Sequence, residues 1–380
     1  MSPKKLFIIG AGASNGAAHI NEEYPPPLTP DLSKIFENDF ISLNHTVHGQ
    51  FIRKWFADLL KETGTEDDIE NFFTLFFELA IICSRLPLNY RFLSKEQLHE
   101  LLSKPELLDP YFSKDDYEKI RKIFDYYLRK TQASILGGPG SFENFYSVGL
   151  CEYMRVAITD NNCEYHASLF QDLTPEDAVA SFNYDSICDF TLYRLGKLTH
   201  SSFEGLGFSE INILNDKNSD RGVKFLHIHG SFNWWRSADK NGMHDDVCYN
   251  LLNEGCKSTL KGNTPYPLIL PFKLKQELYE SISIYKRHVD MFLKLIEEST
   301  IIYLVGKTFE NSDYELFALI QERSKKLPKE LYIIDKILDD PIRKNDFIKN
   351  HEKLFNARFV KGWIDLAQYS ELNKNNKSIH

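Results

Sequence analysis

The sequence lacks the cysteine spacing that a structural zinc site requires. It has six cysteines in 380 residues, and no two of them form a C-x-x-C pair. A four-cysteine zinc module is therefore not expected. Cysteines scattered through a chain of this size are typical of reduced, buried thiols in a cytoplasmic protein. Their positions are 83, 151, 163, 188, 248 and 256.

Long apolar runs and an excess of positive charge are also missing. The first apolar run ends at Gly10, which is too short for the hydrophobic part of a secretion signal, and no later run approaches a membrane span. The net charge is −9, so no overall positive field favours nucleic acid or an anionic membrane. We therefore expect a cytoplasmic protein with no membrane contact and no direct nucleic-acid binding.

The order of apolar segments predicts an α/β fold. Six short runs rich in Val, Ile, Leu or Phe are bounded by polar residues or glycine, as buried strands are. Amphipathic helical patterns follow at Tyr279–Glu298 and at Asp313–Lys325, the second with Ser312 as its cap. This alternation indicates a Rossmann-like, mostly parallel sheet of about six strands, covered on both faces. The predicted strands are Lys5–Ile9, Ala178–Phe182, Lys224–His229, Pro267–Leu270, Ile301–Val305 and Leu331–Ile334.

A long segment between the first two predicted strands reads as helical. It predicts a single domain over 1–380, with a Rossmann-like core of 1–34 and 175–380 and a helical insertion at 35–174. The insertion includes a helix that is apolar nearly all round, which is typical of a core or of a subunit contact. Gly137–Gly140 breaks the chain between two of the helices. The predicted helices are Phe51–Glu62, Ile69–Ser84, Lys95–Ser103, Lys114–Lys130 and Phe142–Thr159.

A glycine turn follows the first predicted strand. Gly10 and Gly12 let the backbone bend tightly and approach a ligand without a Cβ atom in the way. If a helix follows, its free N–H groups point at an anion bound there. The pattern is that of a nucleotide phosphate cradle, although an ordinary strand-to-helix connection has the same outline.

Small, polar or ionisable residues follow nearly every predicted strand. Ligands of open parallel sheets bind beyond the carboxyl ends of the strands, so these residues are expected to meet at one edge. Such a concentration is not a requirement of packing, and it predicts a binding or catalytic site. The segments are Gly10–Ser14, Ser181–Asp185, His229–Ser231, Pro271–Lys273, Gly306–Thr308 and Asp335.

These motifs resemble the sirtuin family in order and spacing, and most of all the sirtuin-like NADases of bacterial anti-phage defence. The resemblance covers residues 1–30 and about 175–340. Deacylase sirtuins carry a four-cysteine zinc module after the His-Gly motif, where this chain has only Cys248 and Cys256, so zinc binding and protein deacylation are not expected. The similar segments are Gly10–Ser14, Pro25–Pro30, Phe182–Asp185, His227–Ser231, Leu268–Phe272 and Leu304–Thr308.

The resemblance implies hydrolysis of NAD to nicotinamide and ADP-ribose, with Asn183 and His229 as the catalytic pair. Nicotinamide is already a cationic leaving group, so the reaction needs an oriented ribose, a placed nucleophile and a base rather than a strong acid. An amide such as that of Asn183 donates and accepts hydrogen bonds, and a histidine is a base near neutral pH. Asp185 is expected to bond the nicotinamide amide or to orient a neighbour.

The resemblance also implies a set of NAD-binding residues and no metal. The pyrophosphate is expected against Gly10, Ala11, Gly12 and Ser14. The adenosine side is expected along Gly306, Lys307 and Thr308, with Asp335 accepting from a ribose hydroxyl. Lys307 is expected to meet a phosphate or only solvent.

Other functions compete with this interpretation. Gly12–Gly16 matches the G-x-S-x-G elbow of serine hydrolases with Ser14 as nucleophile, but that elbow normally follows several earlier strands. A dehydrogenase needs a second strand ending in Asp or Glu about 20 residues after the glycines, where Pro25–Pro27 forbids a regular strand. The His227-x-His229 pair lacks an obvious third metal ligand. A non-catalytic nucleotide sensor or assembly subunit stays open.

The resemblance further implies an effector that depletes NAD only when triggered. No sensor domain is evident beside the predicted catalytic unit. Control is therefore expected from homo-oligomerisation or from a partner chain, for which a HerA-type hexameric ATPase is the candidate that the resemblance implies.

Overall fold

The structure of the protein is a computed structural model, and the chain divides into two compact units. The sheet unit comprises Met1–Leu28, Met154–Leu270 and Lys275–His380, and the insertion unit comprises Thr29–Tyr153 and Pro271–Leu274. The described residues are 4–15, 58–65, 71–72, 74–75, 100, 112–131, 163–213, 221–236, 247–251, 266–269, 283–309 and 313–377.

The sheet unit contains a six-stranded, entirely parallel sheet flanked by helices, which confirms the predicted α/β, Rossmann-like architecture. Its strands are β1 (Lys5–Ile9), β2 (Ala178–Ser181), β4 (Lys224–His227), β8 (Ile301–Val305), β9 (Lys329–Ile334) and β10 (Ala357–Trp363). Their order in the sheet is β10-β9-β8-β1-β2-β4. The central strand β1 has Ile9 opposite Ser181 of β2 on one side and opposite Val305 of β8 on the other. Its residues are buried on both faces, which explains its continuous apolar run.

A second sheet in the same unit corrects one sequence prediction. The run predicted at Pro267–Leu270 is a strand, β7 (Tyr266–Ile269), but it pairs antiparallel with β5 (Gly230–Arg236). The strand order of this sheet is β3-β6-β5-β7, with β3 at Glu210–Asn212 and β6 at Val247–Asn250. The sixth place in the parallel sheet belongs instead to β10, which was not predicted because it is a half-exposed edge strand containing charged residues and a glycine.

The two helices predicted at Tyr279–Glu298 and Asp313–Lys325 are present as α5 (Ser283–Glu298) and α6 (Tyr314–Ser324). α6 begins and ends within one residue of the prediction, and α5 ends at the predicted residue, while 279–282 lie outside the described residues. α5 has its predicted apolar stripe buried, including Tyr285, Phe292 and Ile296. α6 has Asp313 as its N-cap residue, but the Asp313 side chain makes no capping bond there. The predicted cap Ser312 lies outside the described residues. The helices are α1 (Ala11–Asn15), α2 (Lys114–Thr131), α3 (Glu164–Phe170), α4 (Ile187–Arg194), α5 (Ser283–Glu298), α6 (Tyr314–Ser324), α7 (Lys344–Phe355) and α8 (Leu366–Lys377).

The described part of the insertion unit is helical. Residues 58–63, 71–72, 74–75 and 100 are helical, in agreement with three predicted helices. The predicted helix Lys114–Lys130 is α2, and a capping box in which Ser113 and Asp116 exchange bonds sets its start. The predicted helix Phe142–Thr159 and the break at Gly137–Gly140 lie outside the described residues.

The three cysteines among the described residues differ in their bonding. Cys163 and Cys188 are free and buried, as the sequence predicts. Cys248 is disulfide-bonded, so the expectation that all six thiols are reduced is wrong for this residue. Its partner lies outside the described residues.

Among the described residues, no helix combines the length and the apolar character needed to cross a bilayer.

Candidate active site

The loops that follow the parallel strands lie together at one edge of the sheet, which we call the carboxyl edge. The first residue of each loop continues the ladder of the strand, so the loops start side by side. Gly10 N–H donates to Val305 O (2.9 Å), Phe182 N–H to Ile9 O (2.8 Å), Ile228 N–H to Ser181 O (2.9 Å) and Gly306 N–H to Ile334 O (2.8 Å). The predicted site residues after β1, β2, β4, β8 and β9 therefore share this edge. Pro271–Lys273, also predicted to line it, lie outside the described residues.

Glycine is required at the carboxyl edge because two loops touch through their backbones. Gly12 N–H donates to Gly306 O at 3.0 Å. A Cβ atom on Gly10 would lie 2.4 Å from Gly306 O, and one on Gly306 would lie 2.1 Å from Ala13 N. Gly306 also has φ +55°, in the left-handed region that glycine favours. The glycines thus serve first to bring the loops after β1 and β8 together.

Asn183 is anchored to the glycine turn by its amide nitrogen. Its Nδ2 donates to Gly10 O at 3.0 Å and to Ser14 Oγ at 2.7 Å. A backbone carbonyl can only accept, so the nitrogen of the amide must face Gly10. Asn183 Oδ1 is buried and has no hydrogen-bond partner among the residues that the structure describes. This oxygen is a buried acceptor held in a fixed direction.

Ser14 and Asp185 complete the group around Asn183. The Ser14 side chain, which is 1% exposed, also bonds the Asp185 carboxyl. Asp185 Oδ1 accepts from Ile187 N–H at 3.0 Å, at the start of α4. Burial raises the pKa of Asp185, although the bonds from Ser14 and Ile187 act in the opposite direction. The structure thus joins three predicted site residues in one buried network.

His229 is paired with a carboxylate that the sequence did not assign to the site. Its Nε2 lies 2.9 Å from Asp313 Oδ1, and the other oxygen of Asp313 forms an ion pair with Lys307. The Lys307 ammonium lies 4.6 Å from the centroid of the Phe182 ring and 5.1 Å from that of Phe309. The predicted residues His229 and Lys307 are thereby brought together through Asp313.

The segments carrying Asn183 and His229 are neighbours. Ser181 and His227 are directly opposite each other in β2 and β4, and each site residue lies two positions further along its strand direction. The rings of Phe182 and His229 pack edge to face with centroids 5.1 Å apart. The amide and the imidazole thus belong to adjacent loops of the carboxyl edge.

A second buried carboxylate, that of Asp189, stabilises the loops after β2 and β4 through its hydrogen bonds. Asp189 of α4 accepts from His227 Nε2 (3.1 Å), from Asn233 Nδ2 (3.0 Å) and from the Tyr249 hydroxyl (2.8 Å). His227 Nδ1 lies 3.3 Å from Asn183 O. This network ties the second sheet to the backbone of Asn183.

The histidine pair does not converge on a common ligand position. His227 faces Asp189, whereas His229 faces Asp313. Within the described ranges, no three His, Cys, Asp or Glu side chains are grouped as a metal site would require.

The remaining predicted binding residues lie after β8 and β9. Thr308 is half-buried. Asp335 is also half-buried, and its Oδ1 accepts from Ile337 N–H at 2.9 Å, capping the 3₁₀ segment Lys336–Asp339. Asp335 therefore has a structural use at the carboxyl edge besides its predicted contact with a ribose.

Sequence reasoning missed Asp313, Asp189 and Tyr249. Asp313 was interpreted only as the start of a helix, and it does occupy the N-cap position of α6. No local pattern distinguishes a capping aspartate from one that faces a histidine 84 residues earlier.

No protein-family model matches the chain, and no curated protein matches it. The geometry of the carboxyl edge and the resemblance of its motifs are therefore the basis of a functional proposal.

Proposed function

We propose that the protein is an NAD hydrolase that cleaves the bond between nicotinamide and ribose with water, releasing nicotinamide, ADP-ribose and a proton. The observation that carries this proposal is the buried, unpartnered Oδ1 of Asn183, fixed beside the glycine turn and next to the loop of His229. A buried acceptor without a partner is costly, so a native site retains it where a ligand supplies the donor.

Asn183 has one chemical role open to it in this proposal. Its donor is committed to Gly10 and Ser14, so its Oδ1 acts by accepting from a ribose hydroxyl or from the attacking water. Accepting such a bond orients the sugar or the nucleophile without any need for a strong acid, because nicotinamide leaves from a cationic substrate.

His229 is the base in this proposal. An imidazole accepts a proton from a ribose hydroxyl or from water near neutral pH. The bond to Asp313 holds the ring in one orientation, which a general base requires. Asp185 acts on the nicotinamide amide or through its bond to Ser14.

The order of the strands supports the assignment of the other NAD contacts. The glycine turn after β1 lies between the loops of Asn183 and His229 on one side and those of Gly306 and Asp335 on the other. The pyrophosphate lies in the middle of NAD, between nicotinamide ribose and adenosine, in the same order. We therefore assign the pyrophosphate to Gly10, Ala11, Gly12 and Ser14, and the adenosine side to Gly306, Lys307, Thr308 and Asp335.

A serine hydrolase has less support. Ser14 is buried, and its described partners are Asn183 and Asp185 rather than a histidine. A serine nucleophile needs an adjacent base in reach of its hydroxyl.

The biological part of the proposal depends on the sequence resemblance. In it, the enzyme is a cytoplasmic, NAD-depleting effector of anti-phage defence that works as a homo-oligomer, with a HerA-type hexameric ATPase as its partner. Mixing the purified protein with such an ATPase tests this part, because the partner is expected to change both the assembly size and the rate of NAD loss.

NAD consumption by the purified protein, with products identified by mass spectrometry, tests the function. Asn183→Ala and His229→Ala are each expected to lower turnover by about 100-fold or more, the contribution of a positioned acid–base group. The matched controls are Asn212→Ala and His200→Ala at exposed positions, with unchanged turnover. Near-wild-type rates in both site variants would contradict the mechanism, and NAD binding without consumption would indicate a nucleotide-binding subunit.

A further inference from the structure

One buried carboxylate serves both a histidine and a lysine at the carboxyl edge. Asp313 Oδ1 lies 2.9 Å from His229 Nε2, while Oδ2 contacts Lys307 Nζ. The Asp313 side chain is 0% exposed, that of His229 7% and that of Lys307 11%. Salt and water screen charges weakly at such burial, so the charge of Lys307 affects the protonation of His229 across the shared carboxylate.

The same contact selects the basic atom of His229. A carboxylate only accepts, so the neutral imidazole carries its proton on Nε2 and its lone pair on Nδ1. The ring is held in this orientation by Phe182, at 5.1 Å between centroids, and by Tyr184, at 6.3 Å.

Resting on the proposed function, we infer that Asp313 is the positioning residue of His229. We further infer that Lys307, through the same carboxylate, lowers the proton affinity of the His229 imidazole and so favours its free-base form. A carboxylate acting alone would stabilise the imidazolium and raise the proton affinity of the ring. A lysine on the other oxygen opposes that effect, since its positive charge disfavours a second cation nearby.

Among the described residues, one tyrosine ring and one histidine ring flank this cluster. Tyr184 faces the His229 ring from the loop after β2. On the other side, His351 of α7 packs against Phe309, which in turn contacts Lys307. Burial, and to a smaller extent the Lys307 charge, lowers the pKa of His351, so this ring is neutral near pH 7.

The inference is tested by following the His229 ring through a pH titration by nuclear magnetic resonance, with the signal assigned by its loss in His229→Ala. In Lys307→Met the midpoint is expected to rise by about one pH unit, and in Asp313→Asn to fall by about one unit, as for removal of an ionic neighbour. Lys307→Arg keeps the positive charge, so its midpoint is expected to equal that of the wild type. The matched control is Lys361→Met, which removes a lysine that lies over Trp363 in β10, with no shift expected.

A midpoint in Lys307→Met that equals or falls below the wild-type value would overturn the inference. This variant keeps the unbranched stem between the two phenyl rings, so it decides the question even if Asp313→Asn fails to fold. The double variant Lys307→Met/Asp313→Asn, which removes both charges, is expected to titrate between the two single variants.

The titration needs no activity, so the two proposals can fail separately. Shifted midpoints in a protein that consumes no NAD would leave the inference standing and contradict the proposed function. NAD hydrolysis with unshifted midpoints would support the proposed function and overturn the inference about Lys307. Where both hold, the acid limb of the kcat/KM profile is expected to move to higher pH in Lys307→Met, a change that a purely structural role of Lys307 would not produce.

Discussion

Replacing Gly306 with alanine tests the backbone contact on which the carboxyl edge is built. The added Cβ atom would lie 2.1 Å from Ala13 N and 2.4 Å from Gly12 C, both backbone atoms of the opposite loop. Neither can rotate away, so the loops after β1 and β8 must separate. Gly306 also has φ +55°, where an alanine is strained.

The matched control is Gly196→Ala. Gly196, after α4, has φ +68° and nothing within 4 Å of its ideal Cβ position, so this substitution carries the backbone strain without the clash. Left-handed geometry costs an alanine about 1–2 kcal/mol, the expected loss for Gly196→Ala. Overpacking adds about 1–3 kcal/mol, so Gly306→Ala is expected to lower the free energy of unfolding by about 2–5 kcal/mol.

Chemical denaturation followed by circular dichroism measures both losses, as shifts of the midpoint at an unchanged slope. In the proposed function, Gly306→Ala also separates the pyrophosphate loop from the adenosine side, so its KM for NAD is expected to rise while that of Gly196→Ala does not. Equal losses of stability in the two variants would refute the argument, because they would mean that the two loops accept a methyl group between them.

Three further predictions concern buried ionisable groups. Asp189→Ala leaves three buried donors without their acceptor and is expected to lower the free energy of unfolding by about 3–5 kcal/mol. Tyr249→Phe removes only one of these donors and is expected to lower it by about 1.5–3 kcal/mol. Equal losses of the two variants in chemical denaturation would contradict the network. Burial lowers the pKa of Lys329 from 10.5 to about 8. Between these two pH values the unfolded chain binds more protons than the folded protein, so the free energy of unfolding rises with pH. Denaturation measured across this pH range is expected to show the rise in the wild type and not in Lys329→Met. Burial raises the pKa of Cys163 to about 11. Iodoacetamide is therefore expected to alkylate Cys163 slowly in the native protein at pH 8 and fully after unfolding, as measured by peptide mapping. Fast labelling of the native protein would contradict the burial of this thiol.

Much of the parallel sheet could be predicted because each central strand is buried on both faces. Such a strand must be a continuous apolar run, and five of the six predicted runs are strands of this sheet. The prediction failed where this local rule no longer holds. β10 has a mixed pattern because it is an edge strand, and the apolar run of β7 does not reveal which sheet it joins.

Site residues could be predicted in the same way, as far as position is concerned. Asn183, His229 and Gly306 follow apolar strands, and strands that run parallel bring such loops to one edge. Their partners could not be predicted. Asp313 pairs with a histidine 84 residues away, and the direction of the Asn183 amide depends on a carbonyl 173 residues away.

The amino-acid order by itself determines the buried central strands and the residues that follow them, because a strand buried on both faces must be a continuous apolar run. The tertiary structure decides that β1 lies between β2 and β8, and this neighbourhood sets every contact of the carboxyl edge. It commits the nitrogen of Asn183 to the glycine turn, leaves its oxygen unpaired, and gives Asp313 to both His229 and Lys307. Hydrogen bonds and ion pairs act over a few ångströms, so their partners follow from the order of strands in the sheet rather than from the order of residues in the chain.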